Sequence, residues 1–399
     1  MRNAARAWVL TVCAIVGFAF WHARPVKAQE KILLENVEAV YRFGEQIVFS
    51  ATVRMSFPIQ AASITLFDEN YNQMRVQPLT MDARQTLQFI LDARQDAPRP
   101  FTFIRWRYDF NFADGTAFQS EVYSVRYDDN RFAWQRLESN GLRVFWFQGD
   151  ATFAQNALNV ALAGVRAINE IFLVDLNQPI DIFIYPLQTD LAFLSVDAQA
   201  VGHANVGLGV VLVAVEPGFE QSLQMDQRIP HELMHVLSYR ALGAGYKNLP
   251  AWLREGLAAV VEINPSVEYN RVLQDARARR AIIPLKDLCA SFPPQPDSTF
   301  LAYAEARSFT AYLRDAFGVS KLIELSRSYA DGVTCERGVE ITYDASLAQL
   351  ELNWRESIVG ENVWALTLQN LLPYLVLCGL VLGIPLLIGF NAMRKKRIT

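Results

Sequence analysis

His231-Glu232-Leu233-Met234-His235 constrains this chain more than any other stretch. It sets two of the four histidines four residues apart, with a glutamate between them. Residues i and i+4 lie one above the other on a helix face, so the spacing predicts a helix whose two imidazoles reach a single metal ion. Glu232 then projects along the adjoining edge, where it can reach a water at that ion.

Two histidines do not complete a catalytic zinc site, which takes three protein ligands and keeps a fourth position open. His22 falls in an apolar N-terminal segment and His203 in a glycine-bearing loop, so the third ligand need not be a histidine. Downstream, Pro250-Ala251-Trp252-Leu253-Arg254-Glu255-Gly256-Leu257-Ala258 reads as a second helix with Glu255 turned inward. Gly243, Gly245 and Pro250 mark the loop between the two helices.

This pattern resembles the gluzincin metallopeptidases, the thermolysin and aminopeptidase N superfamily. His231, Glu232, His235, Trp252, Glu255, Gly256 and Ala258 carry the resemblance. It is nearest to short bacterial extracytoplasmic peptidase MA-like domains and covers roughly residues 140–357. The resemblance implies an α+β zincin domain with one zinc ion per chain on His231, His235 and Glu255. It also implies a peptide or protein substrate, with Glu232 as the general base that takes a proton from water and passes it to the leaving amine. Tyr303 resembles the tyrosine these domains carry at the start of a helix after the second ligand, and would stabilise the oxyanion; His203 is a second candidate, as oxyanion or substrate contact. In gluzincins an edge strand pairs with extended substrate backbone. The apolar run Leu208–Val215 is the candidate here, with Leu208, Val210 and Val211 as substrate contacts, and an internal strand is the other reading.

Two departures stand out. Thermolysin-like enzymes have an aspartate four residues after the glutamate ligand, orienting a zinc-bound histidine; here that position is Ala259. Glu262 and Glu216 are the alternatives, unranked by sequence. Gly202-His203-Ala204-Asn205 occupies the place of the amine-gripping G-x-M-E-N stretch of aminopeptidase N relatives but has no glutamate. These departures keep open a catalytically inactive binding or assembly protein of the cell envelope. Pro230 directly precedes the motif and lacks a backbone donor, so the helix must start near it or bend there.

Residues 1–28 read as a signal peptide: Arg2 and Arg6, an apolar stretch Ala7–Trp21, then Val26-Lys27-Ala28. Leu371–Phe390 carries no charged side chain. As a helix it would run about 30 Å, the thickness of a bilayer core. Arg394, Lys395, Lys396 and Arg397 follow, which places the C-terminus in the cytoplasm. The expectation is a single-pass protein of the bacterial cell membrane with an extracytoplasmic ectodomain, a juxtamembrane linker at 358–370, a span at 371–390 and a basic tail at 391–399. Outside the leader and the span only Cys289 and Cys335 remain, a pair that an oxidising compartment would join. Two separate thiols are the alternative. A net charge of −4 argues against nucleic acid as the main partner.

The ectodomain is expected in two parts. Residues 29–135 read as an all-β sandwich of immunoglobulin or fibronectin type. Ile104, Trp106, Tyr108, Phe110 and Phe112 alternate with Arg105, Arg107, Asp109 and Asn111, Asp114-Gly115 supplies a hairpin turn, and Phe118–Tyr127 returns. Further strands are expected at Val37–Tyr41, Ile47–Met55, Ala62–Phe67 and Leu87–Leu91. Residues 136–357 read as the metallopeptidase domain, with strands at Leu142–Phe147 and Ile180–Tyr185 and a helix at Thr152–Phe172 capped by Asp150.

Overall fold

The computed structural model describes residues 32–56, 58–68, 72–192, 194, 201–360, 368 and 371–382. The expected signal peptide and basic tail lie outside them. So does the second part of the expected span; residues 371–382 are helical and solvent-exposed. Among the described residues no helix is long and apolar enough to cross a membrane. The chain divides after Asp129 into two compact units.

The first unit holds strands β1 (Ile32–Arg42), β2 (Gln46–Met55), β3 (Ile59–Phe67), β4 (Gln73–Leu79), β5 (Thr86–Asp92), β6 (Phe103–Phe112), β7 (Ala117–Gln119) and β8 (Tyr123–Arg126). They form two antiparallel sheets, β1-β2-β5 and β4-β3-β6-β7, with β8 also on β6. The period-two pattern of β6 turns Trp106, Tyr108, Phe110 and Phe112 inward, and Phe49 of β2 meets Trp106 edge-on at 5.2 Å between ring centres. The returning strand expected at Phe118–Tyr127 is instead two strands. Ser120 Oγ accepts the Tyr108 N–H in place of a backbone carbonyl and donates to the Glu121 carbonyl, which interrupts the ladder. Pro78 sits within the edge strand β4, as an edge allows.

In the second unit five strands make one sheet, ordered β12-β13-β11-β10-β9: β9 (Gln135–Ser139), β10 (Leu142–Trp146), β11 (Ile180–Tyr185), β12 (Gly202–Asn205) and β13 (Val210–Ala214). The inner three are parallel and the two outer strands antiparallel to their neighbours. Helix α1 (Ala151–Asn169) is capped by Asp150 Oδ1, which accepts from Phe153 N at 2.9 Å. It packs with α3 against one sheet face, over Val144, Ile182 and Val211. Aromatic rings fill in elsewhere on this unit: Phe132 stacks on Phe147 at 4.0 Å, and Trp134 meets Phe183 and Tyr185 at 5.1 Å. Residues 130–135, expected with the sandwich, therefore pack with the second unit. The short α2 (Gln188–Ala192) precedes β12.

Helix α3 (Gln221–Leu242) carries the histidine motif, a 3-10 turn spans Gly243–Asn248, and α4 (Ala251–Val260) follows. Helices α5 (Glu268–Arg279), α6 (Pro296–Phe317), α7 (Val319–Ala330), α8 (Cys335–Tyr343) and α9 (Leu347–Trp354) complete the unit. One more helical turn, Arg355–Val359, buries Val359, so packing runs into the segment expected as a linker. Gly256 lets α4 lie directly on α6: a Cβ there would meet Thr310 Oγ1 at 2.1 Å and the Ala306 carbonyl oxygen at 2.5 Å. Cys289 and Cys335 are joined in a disulfide, their Cα atoms 6.0 Å apart.

The substrate strand expected at Leu208, Val210 and Val211 is corrected here. Leu208 lies in a turn, and Val210 and Val211 are buried in β13, which is paired on both sides by β11 and β12. A strand covered on both faces reads as a continuous apolar run, which is what made it conspicuous. Among the described residues the end strand on this side of the sheet is β12, with Gly202, His203, Ala204 and Asn205.

Candidate metal centre

Helical spacing places His231 and His235 on one face of α3, their rings 5.1 Å apart. Glu255, in the second turn of α4, sends Oε2 to 3.6 Å from His231 Nε2 and 3.5 Å from His235 Nε2. These three residues form a group whose ligand atoms all lie within 4.8 Å of one another. The other carboxylate oxygen, Oε1, is held at 3.1 Å by Arg254 Nε. Glu255 therefore offers one oxygen to the histidine pair and keeps the other on a cation.

Each imidazole is fixed from behind. His231 Nδ1 lies 3.1 Å from Glu262 Oε1, and His235 Nδ1 lies 2.8 Å from the Tyr246 hydroxyl. A proton on each Nδ1, donated to these oxygens, leaves both Nε2 atoms with lone pairs aimed at the same place. That donor chemistry, two imidazole nitrogens and one carboxylate oxygen, fits a divalent zinc ion. Of the two carboxylates the sequence left unranked, Glu262 is the one at His231. Glu216 is exposed, at the end of β13.

Tyr246 was missed by the sequence reading. It stands on the 3-10 turn, where Gly245 approaches the end of α7 so closely that a Cβ would be 2.4 Å from the Ala330 carbonyl oxygen. The glycines of that loop mark this close approach, and the approach delivers the hydroxyl to His235. Tyr303 lies within α6, two turns after its start rather than at a helix entry, with its ring 6.1 Å from that of His231 and edge-on to Phe292 at 5.0 Å. Burial pushes its hydroxyl pKa up, and the charges of Glu255 and Glu232 add to this.

Glu232 is 8 % exposed and faces the edge strand. A Cβ on Gly202 of β12 would stand 2.4 Å from Glu232 Oε1, so a side chain there would have to push the carboxylate aside. Burial raises the Glu232 pKa to about 7, with the charge of His231 opposing the rise and that of Glu255 adding to it. Burial would also raise Glu255, but His235, His231 and Arg254 hold it well below the usual carboxylate range. Burial works against a charged His231, yet hydrogen bonds to Glu255 and Glu262 lift its pKa overall. Burial lowers His235, against the pull of Glu255. The buried groups are thus split into one shielded carboxylate, Glu232, and a tightly paired donor set.

The model of the Peptidase MA superfamily matches residues 160–360, which contain every residue of this site. No curated protein sequence matches the chain. Among solved structures, an M1 zinc metallopeptidase from Deinococcus radiodurans is 14% identical, with 82% of this chain and 94% of that one covered and a TM-score of 0.36. A carbohydrate-binding module family 56 beta-1,3-glucan binding domain is 12% identical over 24% of this chain and 99% of its own, with a TM-score of 0.17. The cycloalternan-degrading enzyme from Trueperella pyogenes is 12% identical over 21% of this chain and 14% of its own, also with a TM-score of 0.17. TM-scores of this size do not describe a shared overall arrangement.

Proposed function

This chain belongs to the Peptidase MA superfamily, and from that premise we propose that it is a zinc-dependent peptidase acting outside the cytoplasm. One observation carries the reading. His231 Nε2 and His235 Nε2 both face Glu255 Oε2, each Nδ1 is already engaged, and the buried Glu232 stands beside them. A zinc ion held by these donors would supply Lewis acidity, polarising the scissile carbonyl and easing loss of a proton from water near neutral pH.

The residues of the chain do the rest. Glu232, shielded on one side by Gly202, accepts a proton from the attacking water and returns it to the leaving nitrogen. Extended substrate backbone lies along β12, the end strand of the sheet among the described residues. Gly202 puts that edge directly over Glu232, which brings a bound peptide bond to the base. Tyr303 faces the developing oxyanion from the α6 side.

The exposed apolar side chains of the helix at 371–382, among them Leu375, Leu377, Leu380 and Leu382, support a membrane anchor. With Leu371–Phe390 as the span and 1–28 as a leader, the catalytic unit stands outside the bacterial cell membrane. A second reading is a non-catalytic binding or assembly protein on the same fold. It draws support from β12, which has no carboxylate to grip a substrate amine.

The test is a peptide library incubated with the protein. Cleavage should stop on addition of a chelator and return with zinc. A protein that retains one bound zinc ion yet cleaves nothing in the library would favour the second reading and overturn the first.

A further inference from the structure

Pro230 lies inside α3, directly before His231, and is buried. Having no N–H, it cannot bond the carbonyl of residue 226, and its ring pushes that carbonyl away from the helix axis. The Asp226 carbonyl oxygen instead accepts the backbone N–H of Ile263 at 3.0 Å. Asp226 Oδ2 also accepts from Asn264 Nδ2, at 2.6 Å. The segment that leaves α4 is thereby fastened to α3 by two bonds, both accepted by Asp226. Glu262 is the neighbour of that fastening, and its Oε1 reaches His231 Nδ1, five residues along α3 from Asp226. Burial raises the pKa of Tyr269 at the start of α5, and the charge of Glu262 adds to the rise. Opposite the fastening, the ring of Pro230 rests on Gly164 of α1. An added Cβ there would stand 3.1 Å from Pro230 Cβ and 3.2 Å from its Cα.

Two oddities of the sequence, a proline ahead of the motif and Ala259 in place of an aspartate, have one explanation. We infer that Pro230 is a positioning residue for the metal centre: the carbonyl it frees docks residues 262–264 on α3, and this sets Glu262 where it orients His231. An aspartate at position 259 would act from within α4. Here the carboxylate comes from beyond the helix end, a stretch with no helical bonding of its own, so it needs an anchor. The unpaired carbonyl of a proline-containing helix supplies one. The inference rests on the zinc reading above for its effect on metal, while the docking itself is independent of it.

The test is a double-mutant cycle of Pro230→Ala and Glu262→Ala on the full chain, read by zinc affinity, melting temperature and hydrogen exchange at the Ile263 amide. Glu262→Ala should weaken zinc binding about 10–100-fold, the usual loss when the partner behind a ligand is removed. Pro230→Ala should weaken it about 3–10-fold, part of that same loss. Because alanine is the better helix former, the melting temperature should hold or rise, which separates lost positioning from damage to the fold. The Ile263 amide should lose protection by about 10-fold or more as its acceptor returns to the helix. The double variant should bind zinc no worse than Glu262→Ala alone, because both changes act through one contact. Asn264→Ala, which removes only the side-chain limb, should shift both readouts in the same direction by less.

Wild-type protection at Ile263 in Pro230→Ala overturns the docking, whether or not zinc binds. Protection lost with the two zinc effects fully additive overturns the positioning role. A wild-type chain that binds no zinc but loses Ile263 protection in Pro230→Ala refutes the zinc reading and leaves the docking in place.

Discussion

Glu232→Gln is expected to lower peptide hydrolysis by about 10²–10⁴-fold, the contribution of a positioned general base. Zinc content and melting temperature should stay at wild-type values. The amide has the shape of the carboxylate but does not take a proton, so the variant removes one function and leaves the contact with Gly202 intact. The residue is suited to this single change. It is on α3 between the two histidines, yet the cluster of donors around Glu255 Oε2 does not include it. Burial has raised its pKa to about 7, with the charge of His231 opposing and that of Glu255 adding. Undiminished turnover in Glu232→Gln, measured on the peptide the wild type cleaves best, would remove the proposed mechanism.

Opening the disulfide is the second large change. Replacing Cys289 and Cys335 by serine should cost about 2–5 kcal/mol of stability. For a unit of this size that corresponds to a melting temperature about 4–20 °C lower. The bridge closes a sequence separation of 46 residues, and much of its effect falls on the unfolded chain. It also has a local consequence. The Cys289 carbonyl accepts the Ala251 N–H at 2.9 Å, and Cys335 Sγ accepts from Trp252 Nε1 at 3.3 Å. Both bonds hold the first turn of α4, and the next turn carries Glu255. Zinc affinity should therefore fall along with the melting temperature. A double-serine variant that melts with the wild type would show that packing of Trp252 on Phe309 and Tyr329 holds the helix unaided.

How much of this was legible in the sequence depends on how local each feature is. His231, His235 and Glu232 are one helical turn, and a period of 3.6 residues is enough to place them together. Glu255 needed only a second apolar helix after a glycine-marked loop. The inward face of β6 followed from strict alternation, and the start of α1 from an aspartate at its cap. Features that depend on distant approach did not show. The edge strand β12 is four residues long and has no alternation, while the apolar β13 beside it drew the eye and is internal. Tyr246 reaches His235 only because Gly245 lets the loop close on α7. Glu262 was visible as a carboxylate after α4, but sequence spacing beyond a helix end does not say which way the chain turns. Pro230 was visible as an irregularity, but the Ile263 amide that bonds the Asp226 carbonyl lies far along the chain, beyond the end of α4.

The central claim is that His231, His235 and Glu255 hold one metal ion with a position left open. The most direct measurement is a crystal structure of the zinc-loaded protein with anomalous data collected at the zinc edge. A single peak is expected about 2.0–2.2 Å from His231 Nε2, His235 Nε2 and Glu255 Oε2, with no fourth protein ligand. A peak elsewhere, or one closed by a fourth side chain from this chain, would contradict the account.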